Sequence, residues 1–266
     1  MATINSVMLV FILSLTTRSA ASCALLFGLA GFLHAETNDF ATRAERVFNE
    51  AKLVARKTPD DNPASILLAR VSYAWAEFAR DDEAREAIAQ TGIVAARAVI
   101  ARESTNAAAP YWLGMNLGQL ARTKMLGALP LVREMETLFH RARVLDPHTD
   151  YAGPDRSLGR LYRDAPGWPT SIGSRKKARE HFEHAIRLHP EFPGHQLELL
   201  ESYAEWGEKK YFQRQLAITE KIIAEAKMKF VGEPWESSWA DWNQRRAKMK
   251  RRGENSGPGA TGKSGK

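Results

Sequence analysis

Helical periodicity is the feature that most constrains the fold of this chain. From residue 38 onward, apolar residues recur at spacings of three and four, and no stretch alternates with the two-residue period of a half-buried strand. Turn-forming residues at 59–63, 81–82 and 104–106 separate the periodic stretches. Short helices joined by short turns pack as antiparallel pairs, so we predict an all-α fold. The later predicted helices are residues 107–122, 131–144, 155–163, 176–188, 196–206 and 211–230.

The helix pairs contain a recurring packing motif. Ala178, Phe182, Ala185 and Pro190 follow the second-helix pattern of a tetratricopeptide unit, and Phe139, Ala142 and Pro147 repeat its last three positions. Leu158, Gly159 and Tyr162 fit the first-helix pattern, whereas Leu113-Gly114 and Leu117-Gly118 are two competing registers for the preceding unit. The insertion at 165–173 makes the units irregular. We therefore expect about four pairs in an irregular tetratricopeptide-like α-solenoid over residues 36–232.

The first 35 residues have the composition of a leader. They contain no acidic residue, and Arg18 is followed by an apolar run over 20–33 that ends at Ala35 before a polar stretch. This order predicts a signal peptide at 1–35, with cleavage after Ala35 and a periplasmic or secreted product. Lipidation at Cys23 and a retained membrane anchor are the alternatives. Cys23 is the single cysteine, so cleavage would leave no disulfide or cysteine ligand.

The net charge of +7 is concentrated at the C-terminus. Residues 245–266 contain eight basic residues and one acidic residue, which leaves residues 36–244 nearly neutral. A neutral body argues against a specific nucleic-acid partner. Trp235, Trp239 and Trp242 share one face of a predicted helix at 233–250, which either caps the repeats or docks elsewhere. Residues 251–266 are predicted to be a disordered basic tail.

The sequence contains no convincing catalytic or cofactor-binding motif. Residues 257–264 match the phosphate-loop pattern G-x-x-x-x-G-K-S, but they follow a charged helix end and the chain stops two residues later. That chemistry needs a strand before the loop and a helix after it, so we interpret the match as chance composition. His181 and His184 share a helix face without a known metal-binding pattern. We therefore predict no enzyme activity, no cofactor and no metal.

Three residues are candidates for ligand binding. Arg156 and Arg160 precede the insertion and are candidates to bind an anionic group, although a solvated helix face is the favoured interpretation. Trp168, in a Pro-Gly-Trp-Pro turn, either lies at the rim of a ligand cavity or fills a hydrophobic gap beside the helix pair. A cavity here would make the protein a carrier of a small hydrophobic ligand.

Taken together, five segments resemble the T-component proteins of TRAP transporters. They are residues 111–114, 142–147, 153–162, 165–167 and 178–190, and the resemblance extends over roughly residues 60–225. The helix order is also similar to that of the regulator-of-microtubule-dynamics proteins. The resemblance implies an exported scaffold that associates with a periplasmic solute-binding protein, with a hydrophobic ligand passing between helices. It implies membrane contact only through a retained leader and leaves the oligomeric state open.

Overall fold

The computed structural model describes the backbone of residues 30–124 and 127–255, and the side chains of that part from residue 39 to 254. Over this range the protein is helical, with a single isolated bridge between Gly167 and Gly173 and no strand. The helices are α1 (Ala30–Lys57), α2 (Asn62–Ala76), α3 (Asp82–Arg102), α4 (Ala108–Arg122), α5 (Ala128–Leu145), α6 (Thr149–Asp164), α7 (Arg175–Leu188), α8 (Pro193–Trp206), α9 (Lys209–Ala226) and α10 (Glu236–Asn255). A short 3-10 helix, Glu233–Trp235, precedes α10.

The chain divides into two compact units, one reaching to Arg175 and the other beginning at Lys176. In unit 1, each helix from α1 to α6 packs against the next one along the chain. Helix α4 also contacts both α2 and α6, so these three first helices of successive pairs lie side by side. The all-α helical-hairpin fold predicted from the sequence is confirmed, and the predicted repeat domain at 36–232 is divided between the two units.

Predicted turns act as helix caps. The Asp61 side chain accepts a hydrogen bond from the Ala64 backbone amide (3.0 Å), and Asp81 accepts one from Ala84 (2.7 Å). A carboxylate at this position satisfies amide groups that have no partner within the helix. The turn residues therefore fix where α2 and α3 begin.

Small residues let the helices of unit 1 approach closely. A Cβ added at Gly114 would lie 2.5 Å from the Phe139 ring, and one at Gly153 would lie 2.5 Å from the Tyr111 ring. At Gly118 the same Cβ would meet only the end of Met135, at 3.3 Å. Gly114, and not Gly118, is thus the small residue of the pair motif, which decides between the two competing registers.

Unit 2 pairs α8 with α9, and α10 packs on both. The motif residues Ala178, Phe182 and Ala185 are fully buried. Trp242 is also buried, and its ring lies 5.4 Å from that of Phe192, measured between centroids. The tryptophan face of α10 therefore covers this unit in the manner of a cap, one of the two roles considered for it.

The C-terminal boundary differs from the prediction. Helix α10 continues to Asn255, five residues beyond the predicted helix end, so the predicted disordered tail does not begin at 251. Arg252 explains the extension, because its Nη2 donates to the Ala204 carbonyl (2.6 Å) and ties the last turn to α8. The remaining tail, with the phosphate-loop match, lies outside the described residues.

The predicted leader lies largely outside the described part of the chain. Helix α1 begins at Ala30 and runs through the predicted cleavage position after Ala35. Among the described residues, no helix combines the length and apolar character needed to cross a bilayer. Cleavage, lipidation and retention of the leader all stay predictions.

Candidate interaction surface

The start of α6 is organised around Arg156. This residue is buried, and its Nη2 donates to Asp150 Oδ2 (2.7 Å) and to the Tyr111 hydroxyl oxygen (3.2 Å). Its Nη1 donates to the carbonyls of Asp150 (3.3 Å) and Tyr151 (3.2 Å). Tyr111 in turn donates to Asp150 Oδ2 (2.6 Å), and burial, followed by the Asp150 charge, raises the pKa of its phenol.

The same contacts stabilise an unusual backbone turn. Asp150, Tyr151 and Ala152 all have left-handed φ angles, of 49°, 53° and 53°. For residues other than glycine this conformation costs on the order of 1–2 kcal/mol each. Arg156 offsets part of that cost by binding two of the three carbonyl groups in the turn. The structure thus gives Arg156, a candidate anion ligand in the sequence analysis, a structural role between α4 and α6, and its burial does not fit a solvated helix face.

Arg160 lies near a half-buried tyrosine of α2. Burial raises the pKa of Tyr73 to about 12, Glu77 adds to the rise, and Arg160, Arg156 and Arg122 oppose it. The Tyr73 ring also lies 6.1 Å from that of Trp112. One side of unit 1 is therefore shared by residues of α2, α4 and α6. We call it the first-helix face, and it includes Tyr73, Trp112 and Arg160.

Polar contacts hold the α2 edge of the first-helix face in place. Gln119 Nε2 donates to Glu77 Oε1 (2.6 Å), and Arg122 Nη1 donates to Glu77 Oε2 (2.8 Å). Arg122 and Arg156 are thus each paired with a carboxylate of this unit. The face carries fixed charges, which suits recognition of a polar partner surface.

Trp168 does not lie in the buried environment that the gap-filling interpretation predicts. Its side chain is 89% exposed, so it does not fill a hydrophobic gap, and that interpretation is wrong. The surrounding loop closes on itself, since Gly173 N donates to the Pro166 carbonyl (2.9 Å) and Ser174 N to the Tyr162 carbonyl (2.8 Å). The loop thereby presents a tryptophan ring to solvent.

The sequence did not single out Tyr73 or Asp150 as parts of this region. Tyr73 belongs to no recognisable motif. Asp150 reaches Arg156 through a turn of three left-handed residues, and none of them is a glycine, the residue from which such a turn can be predicted. Tyr111 and Trp112, which belong to the first of the segments that carry the family resemblance, are both buried. Among the described residues, no group of three or more histidine, cysteine or acidic side chains is placed to hold a metal ion.

Comparison with known proteins identifies the fold. At the level of sequence, no family model and no curated protein matches the chain. In structure it is similar to the crystal structure of a thermophilic TPR protein from Thermus thermophilus, with a TM-score of 0.58 and 18% identity. The match covers 84% of this chain and 96% of the other. The protein therefore has a tetratricopeptide-like fold.

Proposed function

We propose that the protein is a scaffold that binds another protein, and that Trp168 anchors the contact. The observation that carries this proposal is the 89% exposure of the Trp168 side chain on a loop closed by its own hydrogen bonds. An aromatic side chain of this size has roughly 200 Å² of surface, and covering it would contribute about 5 kcal/mol at the usual rate of about 25 cal/mol per Å² of apolar area. Because the loop is already ordered, little of that gain is lost in fixing it on binding.

The first-helix face provides a second point of contact. Arg160 is half-buried on α6 and lies close enough to Tyr73 for its charge to oppose the rise in the pKa of that phenol. A carboxylate of the partner that approaches this point could bind the guanidinium of Arg160. We accordingly propose that the partner places an acidic group on this face.

The cellular role follows from the sequence resemblance and belongs to the same proposal. We propose that the protein is exported, with the leader removed after Ala35, and that its partner is the solute-binding protein of a TRAP-type transport system. Mass spectrometry of the protein recovered from its native compartment tests export. Cleavage gives a chain that begins at Glu36, whereas lipidation at Cys23 or an intact leader contradicts it.

Affinity capture with matched variants tests the anchor. The tagged protein is compared with Trp168→Ala and with Val144→Ala, which removes an 81% exposed apolar side chain from α5. Loss of the anchor should reduce capture of the solute-binding protein at least tenfold, equivalent to about 1.4 kcal/mol, and the valine variant should capture it normally. Equal capture by all three proteins would refute the role of Trp168.

Native mass spectrometry separates the scaffold from the alternative, a carrier of a small hydrophobic ligand. A carrier purified under mild conditions would retain lipid mass between its helices. The scaffold proposal expects the mass of the chain alone and binding of a protein partner. The exposed position of Trp168 leaves it unable to line an enclosed cavity, which favours the scaffold.

A further inference from the structure

Three aromatic rings surround one guanidinium in unit 2. The Cζ atom of Arg179 lies 5.4 Å from the ring centroids of Tyr203 and Trp206 and 5.6 Å from that of Tyr211. Arg179 Nη2 also donates to both carboxylate oxygens of Glu208, at 2.7 and 2.6 Å. We call Tyr203, Trp206, Tyr211 and Glu208 the arginine cage. Rings within about 6 Å of a cation, together with a carboxylate, form a complete cation-binding site.

A tight reversal between α8 and α9 assembles the cage. Helix α8 ends at Trp206, and Gly207 follows with a left-handed φ of 73°. The Glu208 amide then donates to the Tyr203 carbonyl (3.0 Å), and α9 begins at the next residue. This reversal stacks Tyr211 against Tyr203, with ring centroids 5.4 Å apart and planes 26° apart. Two of the four cage residues, Glu208 and Tyr211, therefore owe their positions to a turn that favours glycine.

Arg179 uses only part of its hydrogen-bonding capacity in the cage. Both of its hydrogen bonds come from Nη2, while its Nε is buried without an acceptor. Arg245, in the same unit, donates through Nε, Nη1 and Nη2 to three carboxylates. A planar guanidinium offers five donors, so Arg179 leaves more of its bonding capacity unused. It is therefore a replaceable occupant.

The cage is also accessible from solvent. The Tyr211 side chain is 53% exposed, and one third of the Arg179 side chain is exposed as well. An arginine that arrives from outside could stack on Tyr211 and reach Glu208 once Arg179 turns away. The flat rings and paired carboxylate oxygens match a guanidinium better than the compact ammonium of lysine.

We propose that the arginine cage is a binding site for an arginine side chain of a partner protein, and that Arg179 is its built-in competitor. This site is separate from the surface proposed in unit 1 and does not depend on it. An intramolecular competitor acts at an effective concentration in the millimolar range. The resident arginine would thus exclude free arginine and admit only a partner that holds its arginine in place through other contacts.

Removal of the competitor tests the proposal. In Arg179→Ala, N-acetyl-arginine methylamide should bind at least tenfold more tightly than in the wild-type chain, as measured by NMR shifts of the Tyr203 and Tyr211 ring protons. The citrulline analogue, which keeps the shape but lacks the charge, and the lysine analogue should bind at least tenfold more weakly than the arginine probe. Arg187→Ala, which removes an exposed arginine from the same helix, is the matched control and should behave as wild type.

Two results would overturn the proposal. One is equal binding of the arginine and citrulline probes to Arg179→Ala, which would show that the cage does not select a cation. The other is no gain in binding over wild type in a variant whose circular dichroism confirms folding. If Arg179→Ala does not fold, Arg179→Gln keeps part of the aliphatic stem and must show the same preference for the arginine probe, or the proposal fails.

Discussion

The packing of α4 against α5 can be tested with a single added methyl group. Gly114→Ala would place a Cβ 2.5 Å from Cε1 and 2.9 Å from Cζ of Phe139. Carbon atoms do not approach this closely, so the ring or the helices must move. Phe139 is buried and cannot swing into solvent. The matched control is Gly118→Ala in the same helix, where the new Cβ meets only the flexible end of Met135, at 3.3 Å.

Two opposing effects set the expected magnitude. Replacing glycine by alanine inside a helix stabilises it by about 1 kcal/mol, whereas overpacking a buried site costs about 1–3 kcal/mol. Their difference is a net loss of about 0–2 kcal/mol in the free energy of unfolding. At Gly114 the clash involves a buried ring, so we expect the upper half of this range, about 1–2 kcal/mol. At Gly118 the methionine can give way, so we expect no loss or a gain of up to about 1 kcal/mol.

Thermal and urea unfolding measure both variants. For a chain of this size, each kcal/mol shifts Tm by about 2–4 °C, so Gly114→Ala should melt about 2–8 °C lower and Gly118→Ala at or above the wild-type Tm. Adding Phe139→Leu to Gly114→Ala should recover part of the loss relative to the sum of the single variants. If the two glycine variants have the same Tm, the assignment of Gly114 as the close-packing position is wrong.

Three further predictions concern polar and charged groups. Arg245→Ala leaves the two buried glutamates of α8 without their arginine and should cost about 3–5 kcal/mol in urea unfolding of full-length protein; a loss below about 1 kcal/mol would contradict their coupling. Tyr111→Phe removes the hydroxyl that donates to Asp150 and accepts from Arg156, so we expect a loss of about 1–2 kcal/mol in the same assay, and an unchanged free energy of unfolding would contradict the role of this hydroxyl. Because folding raises the pKa of Tyr73 to about 12, the unfolded state loses this proton first, so the stabilisation present below pH 10 should decline by about 2–3 kcal/mol as the pH rises to 12. Tyr73→Phe should remove this part of the slope in urea midpoints measured against pH, and equal slopes for the two proteins would count against the burial of the phenol.

The fold was predictable because its motif depends on local packing. Ala178, Phe182 and Ala185 recur at the spacing of one helix face, and all three are fully buried in the structure. The prediction was weaker where small residues form the contact. In α2 the large apolar residue Leu67 is 45% exposed, whereas Ser72 is completely buried. Close approach of helices favours small side chains. A search for large apolar residues therefore identifies the wrong face of the helix as the buried one.

The charge distribution could not be interpreted from composition alone. In the sequence, the basic residues after 244 are only a concentration of charge, whereas in the structure Arg245 and Arg246 are bound to glutamates of α8 and α9. The hydrogen bond from Arg246 lowers the pKa of Glu220, which shows that this carboxylate is stabilised in its charged form. Such pairs join residues more than 25 positions apart, and their partners become visible only once the helices are packed.

The candidate sites lie where the repeat motif is absent or interrupted. The motif specifies residues that hold helices together, and those residues are buried and unable to meet a partner. Trp168 belongs to an insertion that the motif does not contain, and the arginine cage is completed by Tyr211 after a left-handed glycine. Two chains could therefore share every packing residue and bind different partners. For this protein, departures from the motif are a better guide to function than agreement with it, and the variants of Trp168 and Arg179 probe two such departures.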